Sequence, residues 1–243
     1  MDALVVRLKL RRIAILPSLI ELMLMKLTKF GHCCFLVDTS TSLGTSESGA
    51  RIITDPAGFS TGQNSAKNID LILITHKDRD HLEINSLKTI LQNNPNAKII
   101  TNKSVGEILA KENIPYTILE QGQSATEKGV LIEGFGEKHA MMHPSIPQWQ
   151  NTGYFIANKL FYPGDAFTNP GKPVEILALP VVAPWLKISE SIDYALELKP
   201  RICFGVHDGI SKLSGFAERF LPPILEPKGI KFVAVPIDQE IEI

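Results

Sequence analysis

The apolar positions between residues 25 and 75 fall in short runs that predict strands, and the first run opens at Met25. Lys26–Phe30 and Cys34–Val37 are typical of two paired strands joined by a Gly-His turn, and Arg51–Thr54 of a third strand that ends at an Asp-Pro pair. The Ser/Thr/Gly-rich stretch before the third strand is predicted to be a loop. Ile69–Ile74 is apolar enough for a strand that is buried on both faces.

The middle of the chain changes to alternating helix and strand patterns. Apolar residues at Ile84, Leu87 and Ile90 recur at helical spacing, and Ser104 with Glu107 three residues later is a capping box that predicts the start of a second helix. Two strand-rich blocks, each followed by helices, favour two sheets packed face to face with helices outside. Further strands are predicted at Ala97–Thr101, Tyr116–Leu119, Val130–Phe135, Gly153–Phe161, Ile176–Val182, Ile202–Val206 and Ile230–Val235, and further helices at Ser189–Leu198 and Phe216–Leu225.

Residues 1–24 differ from the rest of the chain and are treated as an N-terminal extension of a single domain, residues 25–243. The extension has a basic start between Arg7 and Arg12, followed by an apolar run that Pro17 and Glu21 interrupt. The run is too short and too interrupted to span a bilayer, and no small-residue cleavage site follows it. Three interpretations stay open: a peripheral amphipathic segment, an extra helix packed on the domain, or a leader before the folded core, which we favour.

Composition narrows the function classes. With 44% hydrophobic and 21% charged residues, the chain is typical of a globular protein without an integral membrane segment. A formal net charge of -1 gives no global positive field, so nucleic acid is not an expected partner. The three cysteines, of which Cys33 and Cys34 are adjacent, form neither a disulfide framework nor a CxxC zinc site. We therefore expect reduced thiols and a cytoplasmic location, and leave the oligomeric state open.

The six histidines are the main indication of chemistry, because five of them adjoin apolar runs where strands are predicted to end. The segment THKDRDH follows the buried strand and offers His76, Asp78, Asp80 and His81. Imidazole and carboxylate bind borderline divalent ions at about 2 Å, and two ions about 3.5–4 Å apart need many such ligands. A charged helix start, with Asp80 near the positive end of the helix dipole, explains this segment alone about equally well.

Three later residues shift the balance toward a metal site: His139 in GEKHA, Asp165 in YPGDA and His207 in FGVHDG. Each alone is weak, because a histidine after a strand is more often structural and a Gly-Asp pair usually marks a turn. In this order, after THKDRDH, they resemble the metallo-β-lactamase superfamily over Met25–Ile243. The early GH pair and the IITDP strand end are similar to its branch of small cytoplasmic metal-dependent hydrolases, which includes ascorbate-6-phosphate lactonase-like proteins.

The resemblance implies an α/β fold, a four-layer αββα sandwich, with two divalent metal ions at one edge of the sheets. The implied activity is hydrolysis of a small ester, lactone, amide or phosphodiester by a hydroxide held between the ions, since metal coordination lowers the pKa of water to about 7. Asp80 and His143 are the catalytic candidates. The implied ligands are His76, Asp78 and His139 for the first ion, Asp80, His81 and His207 for the second, and Asp165 as the bridge.

Asp78 departs from the family's pattern, because the usual motif HxHxDH reads HxDxDH in this chain. The family implies zinc. A third carboxylate among the ligands makes the ions weaker Lewis acids and favours harder ions such as manganese or iron. Because Asp is shorter than His, Asp78 is also a candidate to reach its ion only through water.

Residues around the implied ligands have two interpretations each. His32 is a hydrogen-bond partner of a ligand or, about equally, a structural turn residue. Asp55 orients a ligand histidine or caps its own turn, and we favour the first. His143 protonates a leaving group or binds substrate, against the alternative of a plain surface histidine. The remaining candidates are Thr75 as a brace for the motif loop, and Trp149, Trp185 and Lys187 as pocket walls, although the tryptophans are more often packing residues.

Two rival functions remain beside hydrolysis of a small molecule. Flavodiiron proteins share the implied fold and carry a carboxylate where Asp78 stands, which suggests a di-iron redox protein, but this chain has no room for their flavodoxin domain. A non-catalytic module of the same fold is the other rival, and the nearly complete ligand set argues against it. A nuclease and an antibiotic β-lactamase are disfavoured by the charge and by the absence of an evident export signal.

Overall fold

The computed structural model describes residues 25–39, 49–60, 62–213 and 215–243, so the predicted extension over residues 1–24 lies outside the described residues. None of the helices in these ranges is long and apolar enough to cross a membrane. The elements in chain order are β1 (Lys26–Gly31), β2 (Cys34–Asp38), β3 (Arg51–Thr54), β4 (Leu71–Ile74), α1 (Ile84–Asn93), β5 (Lys98–Thr101), α2 (Lys103–Lys111), β6 (Thr117–Ile118), β7 (Ser124–Glu127), β8 (Val130–Phe135), β9 (Gly153–Ile156), β10 (Leu160–Tyr162), β11 (Ile176–Pro180), α3 (Ile188–Leu198), β12 (Ile202–Val206), α4 (Phe216–Phe220), α5 (Pro222–Leu225), β13 (Lys231–Val233) and β14 (Glu240–Glu242), with 3₁₀ turns at Gly62–Ser65 and Glu226–Lys228.

The strands form two seven-stranded sheets of similar design. The first sheet has the order β14-β1-β2-β3-β4-β5-β6 and the second β13-β12-β11-β10-β9-β8-β7. In each sheet one part is antiparallel and the other parallel: β3 to β6 run parallel in the first sheet and β10 to β13 in the second. Parallel neighbours need a crossover connection, and α1, α2 and α3 are such crossovers.

The described residues form three apolar clusters, one between the sheets and one on the outer face of each sheet. The side chains of β4 alternate between the first two clusters. Leu71 and Leu73 point toward the core between the two sheets, while Ile72 and Ile74 pack with the side chains of α1 and α2. A third apolar cluster joins the outer face of the second sheet to α3, α4 and α5. The order helix, sheet, sheet, helix confirms the predicted four-layer sandwich, and β4 is buried on both faces as its composition predicted.

The structure corrects the prediction at two places in the second half of the chain. The single strand predicted over Gly153–Phe161 is a hairpin of β9 and β10, with Ala157 (φ 53°) and Asn158 (φ 54°) in its turn. Two successive positive φ values give the turn the twist that a tight hairpin needs. The helix predicted over Phe216–Leu225 is two short helices, because Pro222 lacks the N–H that a continuous helix would need there.

The predicted capping box at Ser104 and Glu107 is also wrong. The side-chain oxygen of Asn102 accepts the Val105 N–H over 3.2 Å, so Asn102 is the N-cap of α2. The Asn102 amide also donates to the carbonyl oxygen of Thr75 over 2.7 Å. The contact with Thr75 therefore favours Asn102 as the N-cap. A rule that considers only neighbouring residues in the sequence does not include this contact.

One edge of the sandwich collects the β1–β2 turn and the loops that follow β3, β4, β8, β10 and β12. Three residues of this edge that are not glycine have a left-handed backbone: His32 (φ 48°), Asp55 (φ 36°) and His207 (φ 62°). Such conformations cost about 1–3 kcal/mol each and tend to occur at functional sites. The strain at this edge therefore coincides with the loops where the sequence placed its candidate ligands.

Candidate metal centre

Four histidines converge on the carboxylate of Asp165, which lies in the loop after β10. Nε2 of His207 lies 2.9 Å and Nε2 of His139 3.3 Å from Oδ2 of Asp165. Nε2 of His81 lies 3.2 Å from Oδ1, and Nε2 of His76 lies 4.0 Å from Oδ2. Residues that are up to 131 positions apart, from His76 to His207, thus share one buried carboxylate.

Asp80 lies next to this group and forms the other side of the centre. Its Oδ2 atom lies 3.6 Å from Nε2 of His207, 3.9 Å from Nε2 of His81 and 3.2 Å from Nε2 of His32. Within the described residues, three overlapping sets of potential ligand atoms lie within 4.8 Å of one another: His76, His139 and Asp165; Cys33, His81 and Asp165; and His32, Asp80, His81 and His207. Overlapping sets of imidazole and carboxylate groups fit the binding of divalent metal ions.

Unpaired buried atoms show that these residues fit metal ions. Nε2 of His76, Nε2 of His81 and Oδ1 of Asp165 are buried without a hydrogen-bond partner. Buried polar atoms are nearly always paired, so three unpaired ones in the same cluster indicate a common partner. Imidazole nitrogen and carboxylate oxygen together are ligands that zinc, manganese and iron accept.

Asp55 orients the two histidines of the THKDRDH segment, His81 directly and His76 through Thr75. Its Oδ2 atom accepts hydrogen bonds from Nδ1 of His81 over 2.8 Å, from the Thr75 hydroxyl over 2.7 Å, and from the hydroxyl of Tyr162. Because the Thr75 hydroxyl donates to Asp55, its oxygen accepts from Nδ1 of His76 over 2.9 Å. Both histidines therefore carry hydrogen on Nδ1 and turn the Nε2 lone pair toward the centre.

Backbone carbonyls orient the other two histidines in the same way. Nδ1 of His139 donates to the carbonyl oxygen of Ala140 over 2.6 Å, and Nδ1 of His207 donates to the carbonyl oxygen of Val182 over 2.6 Å. A carbonyl oxygen can only accept, so Nε2 is again the free nitrogen. All four histidines around Asp165 thus have the tautomer of a metal ligand.

The electrostatics of the centre favour positive charge beside Asp165. Burial disfavours its ionised form, but His81 and His207 outweigh burial and hold the pKa of Asp165 well below its usual value. Burial also acts against a charged His81, yet Asp165 raises the pKa of His81 well above its usual value. Burial lowers the pKa of His76 well below its usual value. Protons or a metal cation can supply the charge that this carboxylate attracts.

Asp78, the residue that departs from the family motif, lies at the rim of the centre. Its Oδ2 atom is 3.9 Å from Nε2 of His76, and it accepts a hydrogen bond from the indole N–H of Trp149 over 2.5 Å. The indole N–H of Trp185 donates to Oδ2 of Asp165 over 2.9 Å. Both tryptophans, which the sequence offered as pocket walls, therefore hold site carboxylates directly.

His143 is not part of the converging group. It is exposed in the loop that follows His139, and the Ser145 N–H donates to its Nδ1 over 3.1 Å. Tyr162 and Cys33 are residues that sequence reasoning missed: the Tyr162 hydroxyl donates to Asp55, and Sγ of Cys33 lies within 4.8 Å of potential ligand atoms of His81 and Asp165. A tyrosine in a fully buried strand needs a hydrogen-bond partner, and this was the available indication for Tyr162.

Comparison with known proteins extends over most of the chain. The family model described as "Beta-lactamase superfamily domain" matches residues 26–207, which include every implied ligand. Protein Rv0786c of Mycobacterium tuberculosis is 32% identical over 191 residues, which are 76% of this chain and 85% of that protein.

Two solved structures resemble the fold. Igni18, a metallo hydrolase from the archaeon Ignicoccus hospitalis, superposes with a TM-score of 0.69 at 20% sequence identity. The superposition covers 90% of this chain and 98% of the Igni18 chain. CmlA, a diiron β-hydroxylase from Streptomyces venezuelae, gives a TM-score of 0.64 at 13% identity over 90% of this chain and 53% of its own. At these identities the likeness concerns the fold alone.

Proposed function

The chain belongs to the β-lactamase superfamily, and on this basis we propose that it is a metal-dependent hydrolase that cleaves a small ester, lactone, amide or phosphodiester. The convergence of the buried, unpaired atoms of His76, His81 and Asp165 carries the proposal. A buried polar atom without a partner costs about 1–3 kcal/mol, so a chain that never bound a cation here would keep a costly arrangement without use.

The ligand assignment follows from the groups that face each other. Asp165 suits a bridge, because Oδ1 faces His81 while Oδ2 faces His139 and His207. The proposed ligands are His76, His139 and, at the rim, Asp78 for the first ion, and Asp80, His81 and His207 for the second.

The residues of this site would hold divalent ions that, when bound, would activate a water near neutral pH and polarise the scissile carbonyl or phosphoryl group. The protein's own part is to orient the reactants. The side chain of Asp80 is 25% exposed, against 3% for Asp165, so of these two carboxylates Asp80 is the one that can also accept a hydrogen bond from the attacking water. His143 is proposed to give a proton to the leaving group from the neighbouring loop.

The substrate is proposed to be a small cytoplasmic metabolite. Cys33, Cys34 and Cys203 are free and buried, which suits a reducing compartment. For the ions, the family favours zinc, while Asp78 adds a hard oxygen ligand that favours manganese or iron.

Hydrolysis by metal-loaded protein tests the proposal. Protein stripped with chelator and reloaded separately with zinc, manganese or iron is assayed on nitrophenyl esters, simple lactones and bis(p-nitrophenyl) phosphate. We expect hydrolysis of at least one class, lost on stripping and restored by one ion. Asp80→Asn should abolish it, while Asp193→Asn, the same change at an exposed site on α3, should leave it unchanged. Protein that binds no divalent ion, or full activity after stripping, would refute the proposal.

A further inference from the structure

His32 differs from the other histidines of the centre in the direction of its hydrogen bonds. The backbone N–H of Gly209 donates to Nδ1 of His32 over 3.1 Å. A nitrogen that accepts an N–H carries no hydrogen of its own. The four histidines around Asp165 have the opposite arrangement, with Nδ1 as donor to an acceptor oxygen.

This arrangement makes Nε2 of His32 a donor. A neutral imidazole carries one ring hydrogen, which must sit on Nε2 when Nδ1 is an acceptor. Nε2 lies 3.2 Å from Oδ2 of Asp80, a carboxylate oxygen that can only accept. A protonated Nε2 has no lone pair for a metal ion, although His32 lies close enough to Asp80, His81 and His207 to count as a ligand by distance alone.

We propose that His32 is a positioning residue of the second ion site: its Nε2–H fixes the carboxylate of Asp80 and makes no metal bond of its own. The inference rests on the proposed metal site and deepens it. Asp80 needs such a partner because its side chain is partly exposed and would otherwise exchange between rotamers in water. The His32 ring is itself held against the ring of His207, with centroids 4.2 Å apart.

The loop that carries Gly209 is anchored so that it can impose this tautomer. The buried ammonium of Lys29 donates to Oδ2 of Asp208 over 2.6 Å, and the His207 N–H donates to the carbonyl oxygen of His32 over 3.2 Å. A Cβ at Gly209 would lie 2.9 Å from Cβ of His32, closer than real Cβ atoms approach. Glycine is therefore required for its N–H to reach the ring.

The tautomer is measured directly by long-range ¹H–¹⁵N correlation spectra of the histidine rings in full-length protein loaded with zinc. We expect the hydrogen of His32 on Nε2, with Nδ1 unprotonated, while His76, His81, His139 and His207 carry hydrogen on Nδ1. Zinc-loaded protein in which Nε2 of His32 is unprotonated would overturn the inference, because His32 would then be a ligand.

Two variants separate the hydrogen bond from the packing of the ring. His32→Gln keeps an N–H donor near the position of Nε2 and should hold the second zinc ion within about 3-fold of the unchanged protein, whereas His32→Phe keeps the ring contact with His207 and removes the donor. Partners of metal ligands typically contribute about 10–100-fold to affinity, so His32→Phe should weaken the second ion by that factor in a chelator competition. Equal affinities in the two variants would contradict the inference.

The spectra of the unchanged protein decide the matter even where a variant does not fold. Protein that binds none of zinc, manganese and iron refutes the proposed function. Protein that binds two zinc ions with His32 in the tautomer of a ligand refutes only the positioning role.

Discussion

Oδ2 of Asp55 lies 2.8 Å from Nδ1 of His81, and the pair is completely buried beside the candidate metal centre. A carboxylate behind a ligand imidazole fixes its tautomer and increases its basicity as a ligand. The same carboxylate receives the Thr75 N–H over 2.8 Å and the Tyr162 hydroxyl, so it joins the end of β3 to β4 and β10. Asp55 therefore connects the fold to the candidate site, and its role in orienting a metal ligand stays a prediction.

Asp55→Asn should weaken both metal binding and the fold. The amide would present N–H groups toward the donors of His81 and Tyr162, and each unsatisfied buried group costs about 1–3 kcal/mol of unfolding free energy. We expect metal affinity to fall about 10–100-fold, measured by chelator competition, and the urea midpoint to fall in parallel. Asp193→Asn is the exposed control. A loss of stability with unchanged metal affinity would limit Asp55 to a structural role.

The convergence of the candidate ligands could be predicted because parallel strands end at the same edge of a sheet. The strand pattern placed His76, Asp80 and His81 after β4 and His207 after β12, and a motif resemblance added His139 and Asp165. The structure brings all six together. The end of a strand can be identified from the sequence, and the fold class then places the ends of neighbouring strands side by side.

Apart from Asp55, Thr75 and His32, the contacts that hold the candidate ligands could not be predicted in this way. Trp149 reaches Asp78 across 71 positions and Gly209 reaches His32 across 177 positions, through contacts that depend on loop conformation. The cap of α2 was missed for the same reason, since Asn102 is selected by its contact with Thr75. The short edge strands β7 and β14 were missed because they are largely exposed and have no apolar run to mark them.

The buried thiols predict a loss of stability at alkaline pH. Burial raises the pKa of Cys203 to about 12, against about 8.5 in an unfolded chain. Between these values the unfolded state releases a proton that the folded state keeps, so the unfolding free energy falls as pH rises, by about 1.4 kcal/mol per pH unit for one thiol. Urea unfolding between pH 8.5 and about 10, below the ionisation of tyrosine, measures this slope. Cys203→Ala should reduce the slope by about that amount. An unchanged slope would show that Cys203 ionises equally in the folded and unfolded states over this pH range.

The loss of kcat/KM on replacing His143 should be larger for substrates whose leaving group is a stronger base. General acid catalysis needs the imidazolium form of His143, which would donate Nδ1–H to the Ser145 hydroxyl, 2.7 Å away, and offer Nε2–H to the leaving group. General acid catalysis contributes about 100-fold or more when the leaving group needs a proton. His143→Ala should therefore lower kcat/KM about 100-fold for an alkyl ester, and less than about 3-fold for a nitrophenyl ester, with metal content unchanged. An equal loss on both esters would indicate substrate binding, and no loss would indicate a plain surface histidine.

Asp78→His tests whether the departure from the family motif sets the choice of metal. The substitution restores HxHxDH and replaces a carboxylate with a neutral imidazole, so the first site should gain affinity for zinc relative to manganese. We expect the zinc-to-manganese ratio of protein purified without added metal to rise at least about 10-fold, measured by mass spectrometry of the metals. Asp78→Asn is the matched control, because it removes the charge but keeps an oxygen that can accept from Trp149. If the unchanged protein already holds two zinc ions and neither variant alters the ratio, Asp78 lies outside the ligand set and Trp149 holds it there. If both variants shift the ratio equally, the charge of the carboxylate decides the metal, and the imidazole itself does not.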